Sequence, residues 1–129
     1  METKESSALK PSQPSKSLEQ AKALIGKQVK VTIDRQLGSK HPKWGFVYES
    51  NYGYIEGIIA PDGEEFDAYV LLVDKPVAEF TGKVVAIVHR LDNDDDKLVV
   101  IPEGSSISNE EIEKMTAYQE KWFKHEILN

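Results

Sequence analysis

Val29, Val31 and Ile33 alternate with Lys30 and Thr32, the period of two expected when one face of a β-strand is buried and the other meets water. Further β-branched and aromatic runs follow. Phe46 to Ile59 is broken by Gly53 and Gly57, and Phe66 to Val73, Lys83 to Leu91 and Leu98 to Ile101 come after it, the last stopped by Pro102. Runs of this kind between turn residues predict strands. A short helix is expected around Leu18 to Leu24, ended by Gly26, and the texture changes again at Ser108. Ser108 and Glu111 have the spacing of a capping box, and Ile112, Met115, Tyr118 or Gln119, and Trp122 recur at helical intervals, which predicts one amphipathic helix running on to Leu128. Strands first and a helix last, without βαβ alternation, predict a mainly β (α+β) fold: a mainly antiparallel sheet or small barrel closed by a C-terminal helix.

The 129 residues suffice for one domain with a real core. Residues 1–17 are rich in Ser, Pro and Lys and nearly devoid of apolar side chains, so they are expected to form a disordered tail, leaving 18–129 as a single domain. No apolar run approaches the length that spans a bilayer, and no secretory or transit signal is evident, so a membrane location is not expected and a reducing cytoplasm suits the chain. With 16 Lys and Arg against 22 Asp and Glu, the net charge of −6 repels a phosphate backbone, and nucleic acid is not an expected partner. The chain has no cysteine. That removes disulfides, zinc fingers, thiolate nucleophiles and iron–sulfur clusters, and any metal must be held by oxygen or imidazole.

Two acidic clusters stand at strand ends: Asp62-Gly63-Glu64-Glu65-Phe66-Asp67, and Asp92-Asn93-Asp94-Asp95-Asp96-Lys97. Carboxylates this close repel one another unless a hard cation or a basic partner is shared between them. The second cluster also reads as a solvated hairpin turn. In the first, Asp67 enters the strand itself, where a carboxylate needs a partner. An EF-hand loop from Asp92 is excluded, because Lys97 occupies the position that requires Gly and strands, not helices, flank it. A basic loop holds Arg35, Lys40, His41 and Lys43 beside Gly38 and Ser39, a set able to grip an anion or simply to connect two strands. Tyr52 and Tyr54 share one strand face, as a core patch or as the wall of a site.

Asn51-Tyr52-Gly53-Tyr54-Ile55, followed seven residues later by Asp62-Gly63-Glu64-Glu65-Phe66-Asp67, resembles the signature of the family I soluble inorganic pyrophosphatases. The resemblance runs from Asp34-Arg35 through Tyr48, both motifs, Asp95-Asp96-Lys97 and the C-terminal helix, roughly residues 27 to 128. It is closest to short bacterial members with the DRxLGSxHPK loop. It implies an OB-like five-stranded antiparallel β-barrel with a C-terminal helix, and hydrolysis of pyrophosphate to two phosphates with Mg²⁺, for which Mn²⁺ is a possible substitute. By the same resemblance Asp62, Asp67, Asp92 and Asp95 would be metal ligands, Arg35 and Lys97 would bind phosphate, and Tyr48 and Tyr52 would line the site. Homo-oligomeric assembly is left open.

The sequence departs from that pattern at defined places. Glu64 stands where the family has the Asp that orients or deprotonates the attacking water, so with Asp67 it forms the expected catalytic pair; its extra methylene displaces the carboxylate by about 1.5 Å. Displacement on that scale can cost about a hundredfold in rate. The family's first strand, with a further Lys and Glu, has no counterpart in residues 1–28, and its phosphate-binding Tyr-Lys pair falls on Glu126 and Ile127. Lys40 and Lys43 are therefore the expected substitute for the missing positive charge. Two alternatives accompany this reading: another phosphoanhydride as the substrate, or a non-catalytic module that binds metal and phosphate.

Overall fold

A computed structural model describes residues 16–59, 63–91 and 95–129. The elements are α1 (Lys16–Leu24), β1 (Gln28–Arg35), β2 (Asn51–Ile59), β3 (Glu65–Val70), β4 (Glu79–Arg90), β5 (Asp96–Ile101), α2 (Asn109–Glu120) and β6 (His125–Leu128). Residues 1–15, most of the expected tail, lie outside the described residues. Lys16 and Ser17, placed in the tail by composition, instead begin α1, and the Ser17 hydroxyl donates to Asp96 Oδ2 at 2.7 Å.

The strands close into a barrel in the order β1-β2-β3-β5-β4, with β4 returning to β1. Four of the five seams are antiparallel. The fifth, β3 with β5, is parallel and sets Asp67 abreast of Lys97, so the barrel is mainly antiparallel, as expected, with one parallel seam. On β1 the predicted alternation holds: Val29, Val31 and Ile33 point inward. Here they meet Ile55, Phe66, Ala68, Val70, Leu98 and Val100, while Leu18 and Ala21 of α1 plug one end. Gly26, at φ +92°, stops α1 and donates its N–H to the Val84 carbonyl. Gly53 is required by close approach: a Cβ there would lie 1.9 Å from the Thr32 carbonyl oxygen.

A second core forms where α2 covers the outer faces of β3, β4 and β5. Tyr69, Leu71, Ala86, Val88, Val99 and Ile101 pack beneath Ile112 and Tyr118. This is why β5 is buried along its whole length and, after Asp96 and Lys97, reads as an uninterrupted apolar run from Leu98 to Ile101. The Ser108–Glu111 capping box forms as expected, with both reciprocal bonds made.

The expected helix to Leu128 is corrected: α2 ends at Glu120, and His125–Leu128 pairs antiparallel with Ile87–Arg90 of β4. That end of β4 lies beyond its pairing with β1. The ladder bonds there outweigh the helical spacing of a few side chains. Phe46 to Ser50 is likewise not strand; it carries an isolated bridge, Lys40 to Val47, that folds the 36–50 loop back on itself.

Candidate active site

The parallel β3–β5 register creates the centre of the site. Because Asp67 and Lys97 are direct neighbours, Lys97 Nζ donates to Asp67 Oδ2 at 2.8 Å, and it reaches Asp95 Oδ2 at 2.9 Å. Tyr52, diagonal to Asp67 across the β2–β3 pair, adds an O–H bond to the same Oδ2 at 3.0 Å. Burial pushes the Tyr52 phenol well above its usual value, and the neighbouring Asp67 charge adds to this. Tyr52 is therefore a fixed donor at any ordinary pH. The Lys97 side chain is only 5% exposed, whereas those of Asp67 and Asp95 are 41% exposed, so the acids face outward from a buried cation.

Arg90, at the end of β4, ties this centre to α2. Its Nε and NH2 donate to the two carboxylate oxygens of Glu120 at 3.0 and 2.8 Å, NH1 reaches Asp95 at 3.3 Å, and the guanidinium lies 3.7 Å from the centre of the Phe123 ring. Burial alone would lower the Arg90 pKa, but the bonds and charge of Glu120 raise it overall. Glu120 is fully buried and also accepts from the Tyr69 hydroxyl at 2.6 Å. Gln119 extends the network, donating to Tyr69 and accepting from Tyr48. Every polar group in this chain of bonds has a partner, the condition under which a buried network rigidifies rather than destabilises.

Above the centre opens a cavity of about 690 Å³. Its lining combines polar and charged side chains, Asp34, Arg35, Tyr48, Tyr52, Asp67, Arg90, Lys97 and Gln119, with a wall of rings from His41, Trp44, Phe46, Trp122 and Phe123. The wall exists because the 36–50 loop folds over: His41 Nδ1 accepts from the backbone N–H groups of Lys43 and Trp44 at 3.1 and 3.0 Å. Burial pushes the Asp34 carboxyl up from its ordinary value; Arg35 opposes this and Asp67 reinforces it. Three basic groups, Arg35, Arg90 and Lys97, thus meet four acids, Asp34, Asp67, Asp95 and Glu120. Such a balance favours taking up a cation together with any anion.

The family model of the inorganic pyrophosphatases matches residues 15–127. The chain belongs to the inorganic pyrophosphatase family. By that membership it is a hydrolase of the inorganic diphosphatase class. Among solved structures it is similar to the inorganic pyrophosphatase of Helicobacter pylori (TM-score 0.62, 17% identity, covering 79% of this chain and 84% of that one). It is also similar to that of Ehrlichia chaffeensis (0.61, 17%, 78% and 84%) and that of Neisseria gonorrhoeae (0.55, 20%, 72% and 72%). These likenesses show the pyrophosphatase fold. Comparison with the curated proteins finds no match.

Of the site residues expected from sequence, Arg35, Tyr48, Tyr52, Asp67 and Lys97 line the cavity, and Asp95 joins them through Lys97. Asp62 and Asp92 lie outside the described residues. Glu64 is exposed in the turn before β3 and is not among the lining residues. Lys40 and Lys43 are not among them either; the same loop contributes His41, Trp44 and Phe46 instead. Sequence reasoning missed Arg90, whose sole local signal was its place two residues before the second acidic cluster, and Trp44, Trp122 and Phe123, which only the fold brings together.

Among the described residues no three His, Asp or Glu side chains form a ready-made metal cage. The donors present nevertheless suit Mg²⁺, which takes one or two carboxylates and fills its remaining positions with water and phosphate oxygens. Both hydrogen bonds to Asp67 use Oδ2, leaving Oδ1 on a cavity-lining residue as a hard oxygen donor.

Proposed function

We propose that the chain hydrolyses pyrophosphate to two phosphates in a Mg²⁺-dependent reaction centred on Asp67, Lys97 and Asp95, with Mn²⁺ able to substitute. The supporting observation is the buried ammonium of Lys97 shared between two half-exposed carboxylates at the foot of a cavity that also presents Arg35. Asp67 and Asp95 would hold the metal, with Asp62 and Asp92 completing the set. When bound, the ion supplies screening of phosphate charge and acidification of water.

The protein's own groups supply the rest. An ammonium has three donors; Asp67 and Asp95 take two from Lys97, and the third is left for a phosphate oxygen. Arg35 offers a guanidinium fork in the same cavity. Tyr52 holds Asp67 in place by a bond that does not ionise away. Arg90, fixed by Glu120, orients Asp95. In the reaction, the oxygen of water bonds to one phosphorus and the bridging P–O bond breaks. The proton lost by water goes to a carboxylate, Glu64 or Asp67, while the electron pair of the broken bond leaves on the second phosphate. Catalysis of this kind is mostly positioning and charge stabilisation.

The test is phosphate release from pyrophosphate by the full chain with Mg²⁺, with Mn²⁺ and with a chelator, beside ATP and small phosphate esters. Metal-dependent release from the anhydrides and not from the esters is expected. No release from any anhydride would leave a binding module as the better reading.

A further inference from the structure

Beside Arg35 and Lys97, the same cavity is lined by a cluster that is not basic but aromatic. Trp44, His41, Phe46 and Trp122 form one continuous row, with successive ring centres 6.4, 4.9 and 5.3 Å apart. The two indoles at its ends are 69% and 58% exposed, unusual for the largest apolar side chains and informative when they border a concave site. Pyrophosphate has no apolar surface to offer them. It would also leave most of a 690 Å³ space empty, since cavities of this size suit drug-sized ligands. Each indole carries an ammonium, Lys43 at 4.9 Å from Trp44 and Lys121 at 4.8 Å from Trp122, so the rim pairs π faces with positive charge.

A ligand complementary to this cavity has a polyphosphate at one end and a flat aromatic group at the other. We propose that the site accepts nucleoside 5′-polyphosphates, the base stacking on Trp44 or Trp122 and the phosphoanhydride lying at Asp67, Lys97 and Asp95. This rests on the phosphoanhydride reading given above and names a substrate class for the same centre. Hydrolysis would follow the same balance: water oxygen joins the attacked phosphorus, the bridging P–O bond breaks, and phosphate and a nucleotide one phosphate shorter leave. Every base has a π face, so the row selects for an aromatic group more than for a particular base.

The chain's two tryptophans both line this cavity, so intrinsic fluorescence reports on it alone. In the presence of Mg²⁺ the full chain is titrated with a β,γ-imido nucleoside triphosphate, inorganic tripolyphosphate and imidodiphosphate, using fluorescence for the parent and calorimetry for all variants. The nucleotide analogue should quench the tryptophans and bind about fivefold or more tighter than tripolyphosphate, the factor that one stacked base contributes. That preference should shrink in Trp44→Ala or Trp122→Ala and be retained in the corresponding Trp→Phe variant. If the inorganic anions bind and the nucleotide has no advantage, or if both alanine variants keep the full preference, this inference is overturned while the phosphoanhydride reading stands. If none of the three binds, both fall. Self-association of the chain that shields the indoles, with no response to nucleotide, would also overturn it and assign the aromatic row to an interface.

Discussion

Replacing Glu120 by Leu keeps the side chain's bulk and removes the charge that holds Arg90. Glu120 is fully buried and the Arg90 side chain is only 9% exposed, so the variant strands a guanidinium, a change that typically costs about 3–5 kcal/mol. Arg90 would retain its longer bond to Asp95 and its place on Phe123, which argues for the lower end, about 3 kcal/mol. The Tyr69 hydroxyl loses the acceptor it reaches at 2.6 Å, adding about 1 kcal/mol. The total of about 4 kcal/mol corresponds to a fall in Tm of roughly 15 °C for a protein of this size. Urea and thermal unfolding measure both, and a cycle with Arg90→Met isolates the pair. The double variant should be about 2 kcal/mol more stable than Glu120→Leu alone, because it no longer buries an unpaired charge. A loss below about 1 kcal/mol for Glu120→Leu, or strict additivity in the cycle, would refute the view that this buried pair anchors α2 to the site.

Lys97→Ala should chiefly raise KM and Glu64→Gln chiefly lower kcat, since one is assigned to the anion and the other to water; steady-state kinetics with matching losses in both constants would remove that division of roles. Gly53→Ala should destabilise by about 3 kcal/mol or more in urea unfolding, because its new Cβ meets the backbone of Thr32 and Ile33 and not a side chain that can yield. His125 contributes a pH dependence. Burial lowers its pKa, but the Phe123 carbonyl and the Glu113 carboxylate outweigh this and raise it above 6.5. A raised folded pKa means stability that is fully present below the unfolded value and lost as pH rises through the folded one. The Tm deficit of His125→Asn should therefore be larger near pH 5.5 than near pH 9.

Local signals in the sequence were read correctly where local physics decides the outcome. The alternation at Val29, Val31 and Ile33, the capping box at Ser108 and the end of α1 at Gly26 each depend on residues a few positions apart. What escaped depends on distant partners. The His125–Leu128 strand is set by the open edge of β4, about 35 residues earlier in the chain, and Trp122, by fitting the helical spacing, concealed the break. The parallel β3–β5 seam has no local signature, although it is what sets Asp67 beside Lys97. For the site, Arg35, Tyr48, Tyr52, Asp67 and Lys97 were legible through the resemblance of the Asn51–Ile55 and Asp62–Asp67 motifs to the pyrophosphatase signature, and the fold gathers these five around one cavity. Arg90 was not, because its role comes from Glu120, which a helical pattern marks only as one more charged position. Charge arithmetic pointed to Lys40 and Lys43 in the 36–50 loop, whereas the fold of that loop presents His41, Trp44 and Phe46 to the cavity.

Asp67 tests the central claim most directly, because it is at once a neighbour of Lys97, the acceptor for Tyr52 and an assigned metal ligand. Asp67→Asn removes the charge without changing the side chain's size. The decisive measurement is the rate of phosphate release from pyrophosphate with Mg²⁺ by this variant and its parent, with unfolding followed in parallel. The account predicts turnover in the parent, its loss by about two orders of magnitude or more in the variant, the scale set by disturbing a single key catalytic group, and a cooperative unfolding transition in both. A variant that folds and hydrolyses pyrophosphate as fast as the parent would contradict the placement of the reaction at Asp67, Lys97 and Asp95.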